Sequence, residues 1–293
     1  MKHTCLIGLV LCASAGSAFG VNSEVFGIGG NQLIRYDVTG NSFQTCGTFT
    51  GGGNFVTNLA MDNTRRVYYM NPFESTHDLW RADLDAGNQM INQVQMASLN
   101  TAGFGILDGM TVTPGQELLI TGYGQSKVYR YDPVANTGNL VSEVRLVGPG
   151  EFRSDLAFDP IRDVLVGIGI VPDGSGRRSL FEVNAALATN GSEDDVTWTY
   201  YGGNASPWST INLISTLGGG PDGIAFDPIT GELYLSGDGD NFSRWDRVNA
   251  TLSTYLANPY DMGWDLAYQQ YVPSPGGVAL LGIAGLVGSR RRR

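Results

Sequence analysis

The sequence predicts an all-β protein, and three observations support this prediction. Glycine supplies 41 of the 293 residues, about twice its ordinary share, as expected of a chain with many turns. Helical periodicity is absent, apart from two passages that allow a single helical turn, Val94–Leu99 and Asn184–Thr189. A phrase made of an apolar strand, a Pro or Gly turn and a second strand recurs along the chain.

The spacing of this phrase predicts the architecture. Asp222–Pro228 followed by Glu232–Leu235 is a typical copy, and a third strand often follows, as at Val128–Asp132. Equivalent residues of the five copies are 51, 46, 68 and 42 residues apart: Ala60, Thr111, Ala157, Ala225 and Ala267. A period near 50 residues with about four strands per unit is typical of a β-propeller. We therefore predict an all-β propeller of five blades.

The two ends of the repeated body predict how the ring closes. The fifth copy of the phrase has no strands after it, whereas the chain begins with strands that lack the phrase, Val25–Ile28, Gln32–Asp37 and Phe43–Phe49. We expect Trp264–Gln269 to supply the inner strand of the N-terminal blade. Such closure joins the ends of the ring and leaves few exposed strand edges.

The longest interval between copies contains an insertion, Ala188–Ser209. We expect it to form a protruding loop or an extra hairpin. If it forms a blade of its own, six blades are the alternative.

The N-terminus predicts a secretory signal peptide. A basic start at Lys2 is followed by a short apolar stretch, Cys5–Ala13, and then by small residues suited to cleavage. We assign residues 1–20 to the signal peptide and residues 21–270 to the propeller domain.

The C-terminal residues 271–293 have three parts in a fixed order. The rigid lead contains Val272, Pro273, Ser274 and Pro275, an uncharged apolar run covers Gly276–Gly288, and the chain closes with Arg290, Arg291, Arg292 and Arg293. Thirteen helical residues span about 20 Å, against about 30 Å of membrane hydrocarbon. The arginines favour the cytoplasmic side, which places the body outside the membrane. We interpret this transmembrane segment as a sorting signal; the alternative is a weak tail anchor that stays in place.

This order resembles the PEP-CTERM sorting signal of bacterial exported proteins, with Ser274 where that motif usually has Glu. The resemblance implies recognition by an exosortase-type membrane transpeptidase that removes the tail. It also implies a location in the cell envelope, at the cell surface or outside the cell. The phrases of the body loosely resemble those of secreted NHL/YVTN-type propellers, which implies the fold more than an activity.

Charge and cysteine content limit the function classes. The chain has 28 acidic and 18 basic residues, a net charge of -10, so binding to nucleic acid is disfavoured. Cationic partners or divalent metals are compatible with this charge. Cys46 is the only cysteine outside the predicted signal peptide, which excludes an internal disulfide framework.

The residue before each predicted inner strand is polar and often acidic. The repeat geometry should gather these residues near one end of the central channel: Asn58, Asp108, Asp155, Asp222 and Asp265. Converging carboxylates can hold Ca²⁺ or act as acid/base groups. The alternative is structural, because Asp and Asn before a strand commonly accept hydrogen bonds from backbone N–H groups.

Four aromatic residues lie close together in the insertion: Trp198, Tyr200, Tyr201 and Trp208. If exposed, they could stack on sugar rings or on a partner protein. The alternative is that they pack the insertion onto its blade.

These patterns favour an exported surface or matrix propeller that binds an extracellular polysaccharide or an envelope protein. One alternative is a metal-dependent hydrolase or lactonase that uses the channel carboxylates. Another is a structural component of the envelope. No residue is assigned a catalytic role, because the body has a single histidine, His77, and no Gly-x-Ser-x-Gly motif.

Overall fold

The computed structural model describes residues 24–51, 56–71, 77–99, 107–122, 126–135, 140–148, 151–217, 220–237, 241–246, 249, 251–257 and 266–268. These residues form five β-sheets. The sheets are the blades of a five-bladed propeller, as the sequence predicts. The predicted signal peptide and the C-terminal sorting segment lie outside the described residues.

Each blade has four antiparallel strands in order from the channel outwards. Blade 1 contains β21 (Leu266–Tyr268), β1 (Glu24–Gly29), β2 (Gln32–Asp37) and β3 (Ser42–Thr48). Blade 2 contains β4 (Asn58–Met61), β5 (Arg66–Met70), β6 (His77–Leu84) and β7 (Met90–Leu99). Blade 3 contains β8 (Leu107–Val112), β9 (Leu118–Gly122), β10 (Lys127–Tyr131) and β11 (Val141–Val147).

Blades 4 and 5 follow in the chain. Part of the insertion lies at the contact between blades 3 and 4, and part lies at the contact between blades 4 and 5. Blade 4 contains β12 (Glu151–Asp159), β13 (Val164–Ile170), β14 (Arg178–Asn184) and β16 (Thr199–Tyr200). Blade 5 contains β17 (Pro221–Phe226), β18 (Leu233–Gly237), β19 (Asn241–Asp246) and β20 (Thr251–Ala257). The helical segments are α1 (Ala185–Ala188), a 3-10 turn (Pro207–Ser209) and α2 (Leu213–Leu217).

The strand register confirms the repeat that the sequence predicts. In blade 2, Ala60 pairs with Tyr68, which pairs with Arg81 on the third strand. In blade 5, Ala225 pairs with Tyr234, which pairs with Arg244. The equivalent residues of the other three blades occupy the same register. The five inner strands contact one another in ring order around the axis.

The predicted closure of the ring is also confirmed. In the antiparallel pair β21–β1, Leu266, Ala267 and Tyr268 lie opposite Gly27, Phe26 and Val25. The last described residues of the chain therefore supply the inner strand of the first blade.

The insertion does not form a sixth blade. Its strand β15 (Asp195–Thr197) runs parallel to β11 and extends blade 3 to five strands, whereas β16 adds to blade 4. The insertion thus joins two neighbouring blades. The helical turn expected at Asn184–Thr189 is present as α1, but the one expected at Val94–Leu99 is wrong, because those residues continue β7 beside β6.

The hydrophobic core consists of separate clusters at the contacts between neighbouring blades. The buried apolar side chains form five clusters in the described part of the chain, and each cluster joins two neighbouring blades. Cys46, for example, is fully buried in the cluster between blades 1 and 2. Of the helical segments described above, none is long and apolar enough to cross a membrane.

Candidate functional site

The polar residues predicted to precede the inner strands lie within those strands where the structure describes them, and Asn58 and Asp155 make hydrogen bonds between blades. The amide of Asn58 donates to the carbonyl of Leu107 at 3.4 Å. Asp155 is 1% exposed and accepts hydrogen bonds from the backbone N–H of Leu156 at 2.7 Å and of Ile224 at 2.9 Å. Oδ2 of Asp155 thereby joins β12 to β17, whereas Oδ1 bonds within β12.

The remaining members of this predicted group are placed in different ways. Asp222 lies 3.8 Å from Arg178 of blade 4, and so it forms an ion pair across the blade contact. Asp108 is the second residue of β8, and its side chain is outside the described part of the structure. Asp265 is not among the described residues.

The channel between the inner strands is narrow. One cavity between the inner strands has a volume of ≈ 20 Å³, and most of the residues that line it are apolar, including Met61, Met110, Phe158 and Phe226. This space holds about one water molecule. Among the described residues, no group of three or more His, Cys, Asp or Glu side chains is arranged to hold a metal ion.

A second set of aspartates, at the other end of the inner strands, caps the first hairpin of three blades. The sequence analysis did not single out these residues, although the recurring Asp-Pro turn contains two of them. Asp62, Asp159 and Asp227 are at most 3% exposed. Each accepts hydrogen bonds from backbone N–H groups in the turn that follows it. They stabilise the hairpins rather than face solvent.

Blade 4 differs from the others in one charged position. At one register position of the third strand, four blades have an arginine that pairs with a carboxylate: Arg35, Arg81, Arg130 and Arg244. Blade 4 has Glu182 there instead, opposite Val166. The positive partner comes from the hairpin turn, where Arg162 forms an ion pair with Glu182.

With Glu182 at this position in place of an arginine, the side chain of Arg162 lies over an aromatic ring. Its Nη2 donates to Glu182 Oε1 at 2.9 Å, and its Nη1 bonds to Glu182 Oε2. Its Cζ atom lies 4.8 Å from the centre of the Tyr201 ring, a cation–π distance. Burial lowers the pKa of Arg162 and its bonds to Glu182 raise it, with a net upward direction. The guanidinium is therefore always charged, and its charge is balanced by Glu182.

This part of blade 4 forms a cleft with blade 5. The residues that line a volume of ≈ 370 Å³, which we call the aromatic cleft, are Arg162, Tyr201, Gly202, Ser206, Pro207, Trp208 and Trp245. The rings of Trp208 and Trp245 lie 4.6 Å apart, and those of Tyr201 and Trp208 lie 6.3 Å apart. The Tyr201 hydroxyl donates to Asp159 at 2.7 Å. The aromatic cleft thus lies near the face of the propeller that contains the C-terminal ends of the inner strands, such as Asp159 of β12.

The four aromatic residues of the insertion divide into two pairs. Trp198 is 1% exposed. Trp198 and Tyr200 both pack against the ring of Phe181, with ring centres 4.7 Å and 4.9 Å away, respectively. This pair fastens the insertion to blades 3 and 4. Tyr201 and Trp208 belong to the aromatic cleft, where Trp245 and Arg162 join them from outside the insertion. The sequence pattern could not show that Trp245 and Arg162 lie beside Tyr201 and Trp208, because these residues are distant along the chain.

No family model matches the chain, and no curated protein matches it. Among solved structures, 824 chains are similar to it, which is too many to indicate one activity. One of these is a structural genomics protein of unknown function from Bacteroides thetaiotaomicron VPI-5482, with a TM-score of 0.50 and 14% identity. The similarity covers 85% of this chain and 65% of that protein, so this chain spans less than two thirds of its length. This similarity supports the propeller fold alone.

Proposed function

We propose that the protein is an exported β-propeller that acts as a binding module at the cell surface or in the extracellular matrix. The observation that carries this proposal is the aromatic cleft. It is a shallow depression of ≈ 370 Å³ that is open to solvent at the contact between blades 4 and 5. Its lining combines three aromatic residues, which are 2–6% exposed, with the paired charge of Arg162.

The ends of the chain support the proposed location. A signal peptide at residues 1–20 would direct export, and the tail of residues 271–293 would be recognised by an exosortase-type transpeptidase. The expected ligand is therefore a component of the cell surface, either an extracellular polysaccharide or an envelope protein.

A binding experiment tests the role of the cleft. The full-length protein should retain material from an extracellular polysaccharide extract or from an envelope protein fraction. Trp245→Ala should weaken retention about tenfold, because it removes an aromatic wall. Trp80→Ala is the matched control, since Trp80 stacks on Tyr69 at the contact between blades 1 and 2 and lies far from the cleft in the ring. Equal retention by the wild type and Trp245→Ala would contradict the proposal.

Cell fractionation tests the location. Replacing Arg290–Arg293 with serine removes the charge expected to hold the tail at the cytoplasmic side. The variant should lose membrane retention and tail processing, while a variant with Arg177→Gln in the body should keep both. Unchanged fractionation of the serine variant would argue against the sorting role of the tail.

A further inference from the structure

We infer that Asn190 is a site of spontaneous chemical modification, at which the Asn190–Gly191 link converts to isoaspartate and loosens the insertion from blade 3. This inference goes beyond the proposed binding function and does not depend on it. Asn190–Gly191 is the only Asn-Gly dipeptide in the sequence, and both residues are exposed in the loop between α1 and β15.

The reaction needs water alone. The backbone nitrogen of Gly191 attacks Cγ of the Asn190 side chain, the Cγ–N bond of the amide breaks, and the proton of the Gly191 N–H leaves with the ammonia. One water molecule then hydrolyses the resulting succinimide at either carbonyl, which gives aspartate or isoaspartate. Nucleophile and carbonyl belong to adjacent residues, so the ring closure is intramolecular and is favoured by proximity.

The nucleophile is accessible at this position. Glycine has no Cβ atom that would shield its backbone nitrogen, and Gly191 has a φ of 68°. Among the described residues, none accepts a hydrogen bond from the Gly191 N–H. Asn184, at the start of α1, provides a contrast, because the N–H of the next residue, Ala185, donates to the carbonyl of Asp163 at 3.2 Å. We therefore expect reaction at Asn190 and not at Asn184.

The electrophile is polarised by two donors. Asn190 Oδ1 accepts from the backbone N–H of Ser192 at 2.9 Å and from its hydroxyl at 2.6 Å. Negative charge develops on this oxygen when the nitrogen attacks, so donors that are already in place stabilise the tetrahedral intermediate. Ser192 thus activates the carbonyl that Gly191 attacks.

A second turn of the same composition shows the state after hydrolysis to aspartate. In Asp173–Gly174–Ser175, the Ser175 N–H donates to Asp173 Oδ1 at 2.9 Å, and its hydroxyl bonds to the same oxygen. Gly174 has a φ of 75°, close to that of Gly191. An aspartate at position 190 can therefore keep the turn. Isoaspartate cannot, because its main chain passes through Cβ and Cγ and is longer.

The longer main chain falls beside the bonds that join the insertion to blade 3. The Glu193 N–H donates to the carbonyl of Glu143 at 2.9 Å, and the Arg145 N–H donates to the carbonyl of Asp194 at 3.2 Å. Pairing of β15 with β11 follows directly. A Cβ atom at Gly191 would lie 3.6 Å from Oε2 of Glu143, which is fully buried. The loop thus packs closely on β11, so a longer main chain weakens these bonds.

Mass spectrometry of the full-length protein during incubation in mildly alkaline buffer tests the site. Asn190 should convert from amide to acid about tenfold faster than Asn184, or more, which corresponds to a barrier difference of about 1.4 kcal/mol. Ser192→Ala should slow the reaction about fivefold, the effect of one lost hydrogen bond to the transition state. Ser175→Ala, the equivalent change in the Asp173 turn, is the matched control and should leave the rate at Asn190 unchanged.

Two results would overturn the site: equal rates at Asn190 and Asn184, or reaction of Asn190 only after the protein is unfolded in urea. Equal effects of Ser192→Ala and Ser175→Ala would overturn the activating role of Ser192.

Hydrogen exchange tests the consequence. In the isoaspartate fraction, separated from unmodified protein by ion exchange, the amides of β15 should exchange about tenfold faster, while those of β13 keep their protection. Asn190→Asp is the matched control and should exchange in β15 nearly as slowly as the wild type, because the turn is kept. Unchanged exchange of β15 in the isoaspartate fraction would overturn the loosening of the insertion. These outcomes are separate from those of the binding experiment on the cleft.

Discussion

At the scale of single residues, the buried aspartates explain why the Asp-Pro phrase recurs. Asp159 is fully buried and accepts from the backbone N–H of Ile161 at 3.0 Å and from the Tyr201 hydroxyl at 2.7 Å. A buried donor that loses its acceptor costs about 1–3 kcal/mol. The same carboxylate therefore stabilises both the hairpin turn and one wall of the aromatic cleft.

Asp159→Ala should lower the free energy of unfolding by about 2–3 kcal/mol, because it leaves backbone and hydroxyl donors without their acceptor. Urea denaturation measures this loss. Asp132→Ala is the control, since Asp132 also precedes a proline and accepts from two turn N–H groups, but it is exposed to water. The control should lose less than half as much, and equal losses would show that burial does not set the cost.

Buried tyrosines link stability to alkaline pH. Burial raises the pKa of Tyr69 and Tyr129 to about 12, and burial together with Asp62 raises that of Tyr68 to about 12. The unfolded chain ionises near pH 10, whereas these folded side chains stay neutral until about pH 12. Their contribution to stability is therefore fully present below pH 10 and is lost as the pH rises to 12.

Urea midpoints between pH 9 and 12 should fall, with a cost of about 1.4 kcal/mol for each unit of pKa shift per tyrosine. Tyr129→Phe should make this fall shallower, because it removes one of the ionising groups. Identical slopes for the wild type and Tyr129→Phe would contradict the link.

At the scale of elements, close approach between inner strands requires glycine at certain positions. A Cβ atom at Gly223 would lie 2.9 Å from the backbone N of Leu266 and 2.4 Å from Ser236 Oγ. A Cβ atom at Gly109, which has a φ of 81°, would lie 2.7 Å from the Cα of Asp155. The Asp-Gly pairs that open two inner strands thus contain a polar residue and a glycine that allows the neighbouring strand to approach.

Gly223→Ala should destabilise the protein by about 1–3 kcal/mol, because the backbone of β21 cannot move aside without separating the blades. Thermal and urea denaturation measure the change. Gly115→Ala is the control, since the nearest atom to its Cβ would be Thr113 Oγ1 at 3.5 Å. A loss at position 223 no larger than that at position 115 would argue against close contact between these strands.

The sequence allowed the regular elements to be predicted because each blade repeats the same apolar strands and turns. Ala60, Thr111, Ala157, Ala225 and Ala267 could be aligned before the structure was known, since equivalent strands need small or apolar residues at equivalent places. The insertion has no second copy, so its division between blades 3 and 4 could not be inferred. The aromatic cleft was only partly predicted, because Tyr201 and Trp208 lie in the insertion while Arg162 and Trp245 are brought to them by the fold.

At the scale of the whole molecule, the ring depends on a short closing strand. β21 has three residues, and Leu266 is 2% exposed within the cluster between blades 5 and 1. This cluster includes Val25, Tyr36, Tyr234 and Phe242. Closure therefore combines three residue pairs with burial between the first and last blades.

Leu266→Ala should reduce the free energy of unfolding by about 2–5 kcal/mol, through lost burial and the cavity that remains. Hydrogen exchange should also speed up in β1, the partner of β21. Leu187→Ala, at a position that is 51% exposed on α1, should change stability by at most about 0.5 kcal/mol. If β1 keeps its protection in Leu266→Ala, the closing strand is not what holds the first blade together.

The pairing of β21 with β1 also determines when the first blade is completed during synthesis. The ribosome makes Glu24–Thr48 early, but Leu266–Tyr268 is made after every other described strand. Until then, β1 has an unpaired edge that another chain could bind. At 5–20 residues per second this interval lasts roughly 10–50 s. During this interval the edge of β1 lacks its native partner strand, so the first blade is the last to be completed.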